Sequence, residues 1–362
     1  MPILALLNLS AQLKTIHNTM RRHDMDWLRV IAIALLLVYH VAIGFQPWGM
    51  MIGFITNKDS WPALWLPMSA LNIWRIPLLF VVSGMGVYFA MQQRCWIALF
   101  KERMLRIGIP FVFGMIVIVP LHLLVWQYYY QMEPSYLVNP GHLWFLGNIM
   151  LYMILLTPLF YYFNRNLKAQ YFIKSVLGNP LGLLLVGAIF IAEAILMQPV
   201  PYELYAMTPH GFILGLLAFF FGFCFVLTGE AFWQMIQTWR WLFVTAAFTC
   251  FAFRHFYFGM TTPLYLFAVE SQAWILAVLA FGSKYLNRPG RLLGYLSKAA
   301  YPVYILHMVF LYLGSLLIFQ TTWPVPVKFT TVLIFTVGCC LVAYEAIRRI
   351  RWLNPFFGIK TT

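Results

Sequence analysis

The sequence predicts an all-α integral membrane protein, a bundle of about ten transmembrane helices with both termini in the cytoplasm. Of its 362 residues, 62% are hydrophobic and only 9% charged, where soluble globular domains carry about a quarter charged. Apolar stretches recur along the whole chain, and roughly 20 such residues are enough to cross a bilayer core. Lys and Arg gather in alternate connections between those stretches, as the positive-inside rule requires.

Cut where Pro, Gly and charges cluster, the apolar windows fall at 28–46, 68–91, 108–127, 143–162, 180–197, 211–228, 240–257, 263–283, 299–319 and 328–347. The seventh is the weakest, since Arg254 and His255 sit near its end and make it short or tilted. Ten spans leave no room for a separate soluble domain. The expected organisation is a cytoplasmic segment 1–25, a transmembrane domain 26–347 and a basic cytoplasmic tail 348–362.

Charge fixes the direction. Twenty of the 24 basic residues fall on one side, including Arg29 before the first window, Arg94, Lys101, Arg103 and Arg106 after the second, and Arg348, Arg349, Arg351 and Lys360 at the end. Lys58, Arg254 and Lys328 fall on the other. An error of one span would scramble this bias from that point on, and it survives to the C-terminus. A net charge of +14 would suggest nucleic acid in a soluble chain, but these residues are topology signals and no nucleic-acid partner is expected.

Cysteines 95, 224, 250, 339 and 340 have no CxxC spacing and lie in or beside apolar runs, so neither a disulfide framework nor a metal site is indicated. The first twenty residues lack a basic n-region and a small-residue cleavage site, which argues against a removed signal peptide and leaves Met20 or Met25 as alternative starts.

With direction fixed, a rise of about 1.5 Å per residue converts position into depth. His40, Arg75, His122, His142, Glu193 and Glu270 fall in or near the outer half, and His307 sits near the middle of its window. An ionisable group at the bilayer centre costs roughly 2.5–3.5 kcal/mol on insertion scales, so such residues face a cavity or one another. Two readings stand: a convergent outer cavity, or a structural Arg75–Glu270 ion pair with ordinary core histidines.

The opening block DMDWLRVIAIALLLVYH holds Asp26, Arg29 and His40, with ten residues between the Arg and the His. RIPLLFVVSG carries Arg75 and Ser83-Gly84, KERMLRIGIP carries Arg103 and Arg106, and HLWFLGNIMLY opens on His142 and Trp144. LSKAAYPVYILH ends in His307, and YEAIRRIRWLNPFFGIK closes the chain. These blocks, in this order from about Asp24 to Lys360, resemble the acyltransferase-3 family of multipass bacterial membrane enzymes, and most resemble its glucan-modifying, succinyltransferase-like branch. The resemblance implies transfer of an acyl group from a cytoplasmic acyl-CoA to hydroxyls of an envelope polysaccharide or glucan, in the bacterial inner membrane. It implies no bound cofactor, with acyl-CoA as donor substrate.

Acylating a sugar hydroxyl needs a base beside it, and neutral imidazole is the usual choice. His40 is the candidate, either deprotonating the acceptor or carrying the acyl group itself. A carboxylate is expected to hold its tautomer, Glu270 first by depth and Glu193 second. Arg75 suits a developing oxyanion or an acidic acyl head, and His307 completes the catalytic set. His142, Trp144 and Glu193 are assigned to the acceptor. Arg29, Arg103 and Arg106 are assigned to the phosphates of coenzyme A, against a rival reading as topology anchors. Trp126 and Tyr128 to Tyr130 suit an aromatic belt or sugar stacking. A secondary transporter is the alternative function, although the two halves of the chain show no repeated pattern.

Overall fold

The computed structural model describes residues 22–359, which hold helices and no strand. The helices are α1 (His23–Ile43), α2 (Pro62–Met91), α3 (Trp96–Tyr129), α4 (Gly141–Arg165), α5 (Leu167–Leu177), α6 (Pro180–Met197), α7 (Pro209–Thr228), α8 (Glu230–Thr238), α9 (240–258), α10 (Leu264–Tyr285), α11 (Arg291–Ile318) and α12 (Val325–Ile347). Ten of these match the ten apolar windows, and the short α5 and α8 are additions that the windows did not contain. The expected segment 1–25 is described only from Arg22, and Lys360 of the tail lies outside the described residues.

Among the described residues, nine helices are long and apolar enough to cross a membrane, and α9 is the one predicted span outside that set. Its regular part stops at Ala252 and continues as a wide π-turn through Phe258, which carries Arg254 and His255. Polar caps begin several helices: Asn166, Asn179 and Thr208 each accept from a backbone N–H three residues on, at Ala169, Gly182 and Gly211.

Prolines inside the helices decide where side chains from other helices attach. A proline removes the N–H that would bond the carbonyl four residues earlier, and in lipid that carbonyl must find another donor. Pro77 in α2 frees the Ile73 carbonyl, which accepts from the hydroxyls of Tyr205 at 3.0 Å and Ser271 at 2.8 Å. Pro120 in α3 frees the Ile116 carbonyl, which accepts from the Tyr136 hydroxyl at 2.7 Å.

The tightest crossing is α2 on α7. A Cβ at Gly84 would lie 1.9 Å from the Phe219 carbonyl oxygen, and one at Gly222 would lie 2.1 Å from that of Val81. Two backbones therefore touch, as small residues permit between helices in lipid, where no hydrophobic effect drives them together. Around this crossing α2, α7 and α10 build the largest apolar cluster.

The segment 44–61 folds back over the C-terminal end of α1. Tyr312 donates to the Gly53 carbonyl at 2.6 Å, Tyr130 to that of Phe54 at 3.1 Å and Tyr129 to that of Thr56 at 3.0 Å. Buried Lys328 donates to Asn57 Oδ1 and to the Phe319 carbonyl, both at 3.1 Å. The five cysteines are free thiols.

Candidate active site

Four histidines from four helices meet at one end of the bundle. His40 (α1) and His307 (α11) stack with ring centroids 5.1 Å apart, His307 and His142 (α4) lie 5.0 Å apart, and His142 and His122 (α3) 5.3 Å apart. The tight turn at Gly141 delivers His142, since a side chain at that glycine, with φ +47, would strike Val119 at 2.9 Å. No group of three His, Cys, Asp or Glu among the described residues is arranged to hold a metal ion.

The hydrogen bonds fix the tautomers. His307 Nδ1 lies 2.6 Å from the Tyr304 carbonyl, which only accepts, so Nδ1 carries the proton and Nε2 is a bare lone pair. His40 Nδ1 sits 2.9 Å from that Nε2 and therefore donates to it. The lone pair of His40 is thereby turned onto Nε2, away from His307. His40 is half-buried, and Phe54 from the folded-back segment stands edge-on to its ring at 5.4 Å. His142 donates through Nε2 to the Ile305 carbonyl at 3.0 Å, and its own carbonyl accepts from Tyr304 at 2.5 Å. Its Nδ1 is buried with no partner.

Arg75 is 2% exposed, with its guanidinium 4.2 Å above the ring of Tyr39, the residue before His40. One nitrogen reaches the Leu35 carbonyl at 3.5 Å, its Nε has no partner, and no carboxylate among the described residues pairs with it. The Arg75–Glu270 pair considered from the sequence does not form. Glu270 is fully buried on Arg254, which grips it at 2.6 and 3.1 Å and also donates to the Ser69 carbonyl at 2.7 Å.

Glu270 therefore does not contact His40, and the orienting position given to it is occupied by the imidazole of His307. Glu193 is likewise engaged: its Oε1 lies 2.8 Å from His210 Nδ1. Tyr205 stacks on that histidine at 5.4 Å and Tyr202 leans on it at 4.9 Å. Both tyrosines hang from the connection between α6 and α7, and burial pushes their hydroxyls above the ordinary tyrosine range. Trp144 packs on Phe80 and Phe145 rather than on the histidines.

At the opposite end, Arg29 pairs with Asp26 at 3.5 Å, while Glu102 is shared by Arg94 at 2.9 Å and Arg106 at 3.3 Å. Arg103 lies in the same group, so four guanidiniums face two carboxylates. The Nε atoms of Arg103 and Arg106 are buried without partners. Arg29 and His40 are eleven residues apart on one continuous helix, which at 1.5 Å per residue separates the basic end from the imidazoles by about 16 Å.

Sequence reasoning missed His210, the Tyr304 carbonyl and the pairing of Arg254 with Glu270. Arg254 was placed near the end of the seventh window and counted as an outer-side charge, so a partner for it was not sought. His210 lay one residue outside a predicted helix that in fact starts at Pro209. A backbone carbonyl gives no signal in a sequence.

Comparison with curated proteins and with solved structures finds no match. The Acyl_transf_3 family model, described as an acyltransferase domain, matches residues 22–345. That match spans both the imidazole end and the arginine end, and the chain belongs to the acyltransferase-3 family, as a multipass membrane enzyme that transfers acyl groups.

Proposed function

We propose that the protein moves an acyl group, of acetyl or succinyl type, from a cytoplasmic acyl-CoA to a hydroxyl of an extracytoplasmic glycan. One observation carries this reading: the Tyr304 carbonyl, His307 and His40 form a fixed relay that leaves a bare Nε2 on His40, eleven residues along the helix from a cluster of excess arginines. The positive-inside bias supports a cytoplasmic arginine end, and the family resemblance supports a place in the bacterial inner membrane. Coenzyme A phosphates then meet Arg29, Arg103 and Arg106, and the thioester arm reaches along α1.

His40 Nε2 takes the proton of the acceptor hydroxyl while the oxygen forms a bond to the thioester carbon. Arg75, buried without a counter-charge, stabilises the oxyanion or holds the free carboxylate of a dicarboxylic acyl group. The carbon–sulfur bond breaks, and the proton on His40 passes to the leaving thiolate. His307 keeps the imidazole in the reactive tautomer, the part played by a carboxylate in many hydrolases. Arg254 and Glu270 act as a structural clamp. His142, with its unpartnered Nδ1 beside His307, offers an acceptor to a second hydroxyl of the glycan. Phe54 covers His40 from the side on which a glycan arrives.

Mass spectrometry of envelope glycans from cells with and without the gene tests the reading, because it identifies acyl group and acceptor together. A glycan O-acyl ester present only in the expressing cells is expected, and identical ester profiles would contradict it.

A further inference from the structure

The closing loop of the chain packs on the arginine end, and its neighbourhood is short of hydrogen-bond partners. Asn354–Phe357 forms a turn closed by Ile359 N–H donating to the Asn354 carbonyl at 3.0 Å. Phe356 and Phe357 pack on Phe113 of α3 with centroids 4.8 and 5.6 Å away. Gly358, in the left-handed region at φ +63, is pressed between two surfaces. A Cβ there would lie 2.5 Å from Cε1 of Tyr301 and 2.8 Å from the Arg106 carbonyl oxygen. Tyr301, on α11, is thus set against the backbone of the residue that carries one of the excess guanidiniums.

Four polar atoms of this region are buried with no partner: the Tyr301 hydroxyl, the Nε atoms of Arg103 and Arg106, and Asn354 Oδ1. Leaving buried polar atoms unpaired is costly, and several together mark a place where a ligand supplies the missing bonds. Three of the four donate, in a group where guanidiniums outnumber carboxylates, so the ligand presents anionic oxygens. The fourth only accepts, so the same ligand also donates. A phosphate alone offers no donor, whereas a phosphorylated nucleotide carries hydroxyls and an amine beside its phosphates.

From this we infer that Tyr301 and the loop 354–359 are part of the donor site, with the Tyr301 hydroxyl binding a phosphate of the nucleotide carrier and the loop forming one wall. The inference rests on the proposal that the arginine end receives the donor, and it adds a contact that no charge pattern marks. Removing the Tyr301 hydroxyl weakens nucleotide binding without touching the histidine end.

The test is titration of the full-length protein, in phosphatidylcholine nanodiscs, with coenzyme A and with pantetheine, which lacks the nucleotide phosphates. Tyr301→Phe is expected to weaken coenzyme A binding about tenfold, the weight of one hydrogen bond to a charged group, and to leave pantetheine binding unchanged. Gly358→Ala, which lifts the loop, lowers coenzyme A affinity as well. An Arg103→Ala/Arg106→Ala double variant tests the underlying proposal. If it loses coenzyme A binding while Tyr301→Phe does not, the Tyr301 role is wrong and the donor site stands. If neither variant changes affinity, both are wrong. Phosphatidylglycerol in the nanodisc abolishing coenzyme A binding to the wild type would assign these atoms to a lipid headgroup and overturn the inference.

Discussion

The Nδ1 of His40 lies 2.9 Å from the Nε2 of His307, joining two helices across 267 positions of sequence. Because His307 spends its own Nδ1 proton on the Tyr304 carbonyl, the pair has one self-consistent neutral arrangement. It leaves the His40 lone pair on Nε2. The tautomer that the proposed reaction needs is thus written into a helix backbone.

Replacing His307 removes that constraint. His307→Ala is expected to lower kcat about 100-fold with little change in the KM for the acyl donor, the usual weight of a group that orients another. His307→Gln, whose amide oxygen reaches about where Nε2 stood, should recover part of the loss. Steady-state kinetics of the three proteins checks this, and equal activity in wild type and His307→Ala would remove His307 from the relay.

Arg75 is a buried cation with no paired carboxylate among the described residues, which costs a membrane protein stability and is kept where function requires it. Arg75→Met should lose at least about 100-fold in kcat while the thermal midpoint of the purified protein holds or rises. A variant that loses stability together with activity would make Arg75 a structural residue.

The Arg254–Glu270 pair predicts the opposite pattern. Breaking a buried pair by removing one partner costs about 3–5 kcal/mol, because the other charge is stranded. Arg254→Met and Glu270→Leu should each lower the thermal midpoint sharply, and the double variant should regain most of it. Unaltered midpoints with lost turnover in Glu270→Leu would return Glu270 to the chemistry.

The α2–α7 crossing supplies a packing test with its own control. Gly84→Ala and Gly222→Ala each place a carbon about 2 Å from a carbonyl oxygen of the partner helix and should destabilise by about 1–3 kcal/mol. Gly338→Ala in α12, where nothing lies within 4 Å, should be neutral. Thermal midpoints decide, and equal values for all three would mean the helices are free to separate.

The ten apolar windows correspond to ten helices because burial in lipid demands long unbroken apolar runs, which a single sequence displays openly. Helix ends were less legible, since Arg291 and Lys298 lie within α11 although the window began at 299. At the site, residue types and depth singled out His40, His142, His307 and Arg75, and three of these meet or nearly meet. Partnership was not legible. Glu270 was matched to His40 by depth, but depth says nothing about which face of α10 it occupies, and Arg254 was closer to that face. Nor does any sequence pattern show that the partner of His40 is an imidazole set by a carbonyl.

His40→Ala measures the central claim most directly. With protein level in the membrane unchanged, O-acyl ester on envelope glycans should fall to that of cells lacking the gene. Full ester content in cells carrying only that variant would mean the imidazole is not where the acyl group is transferred.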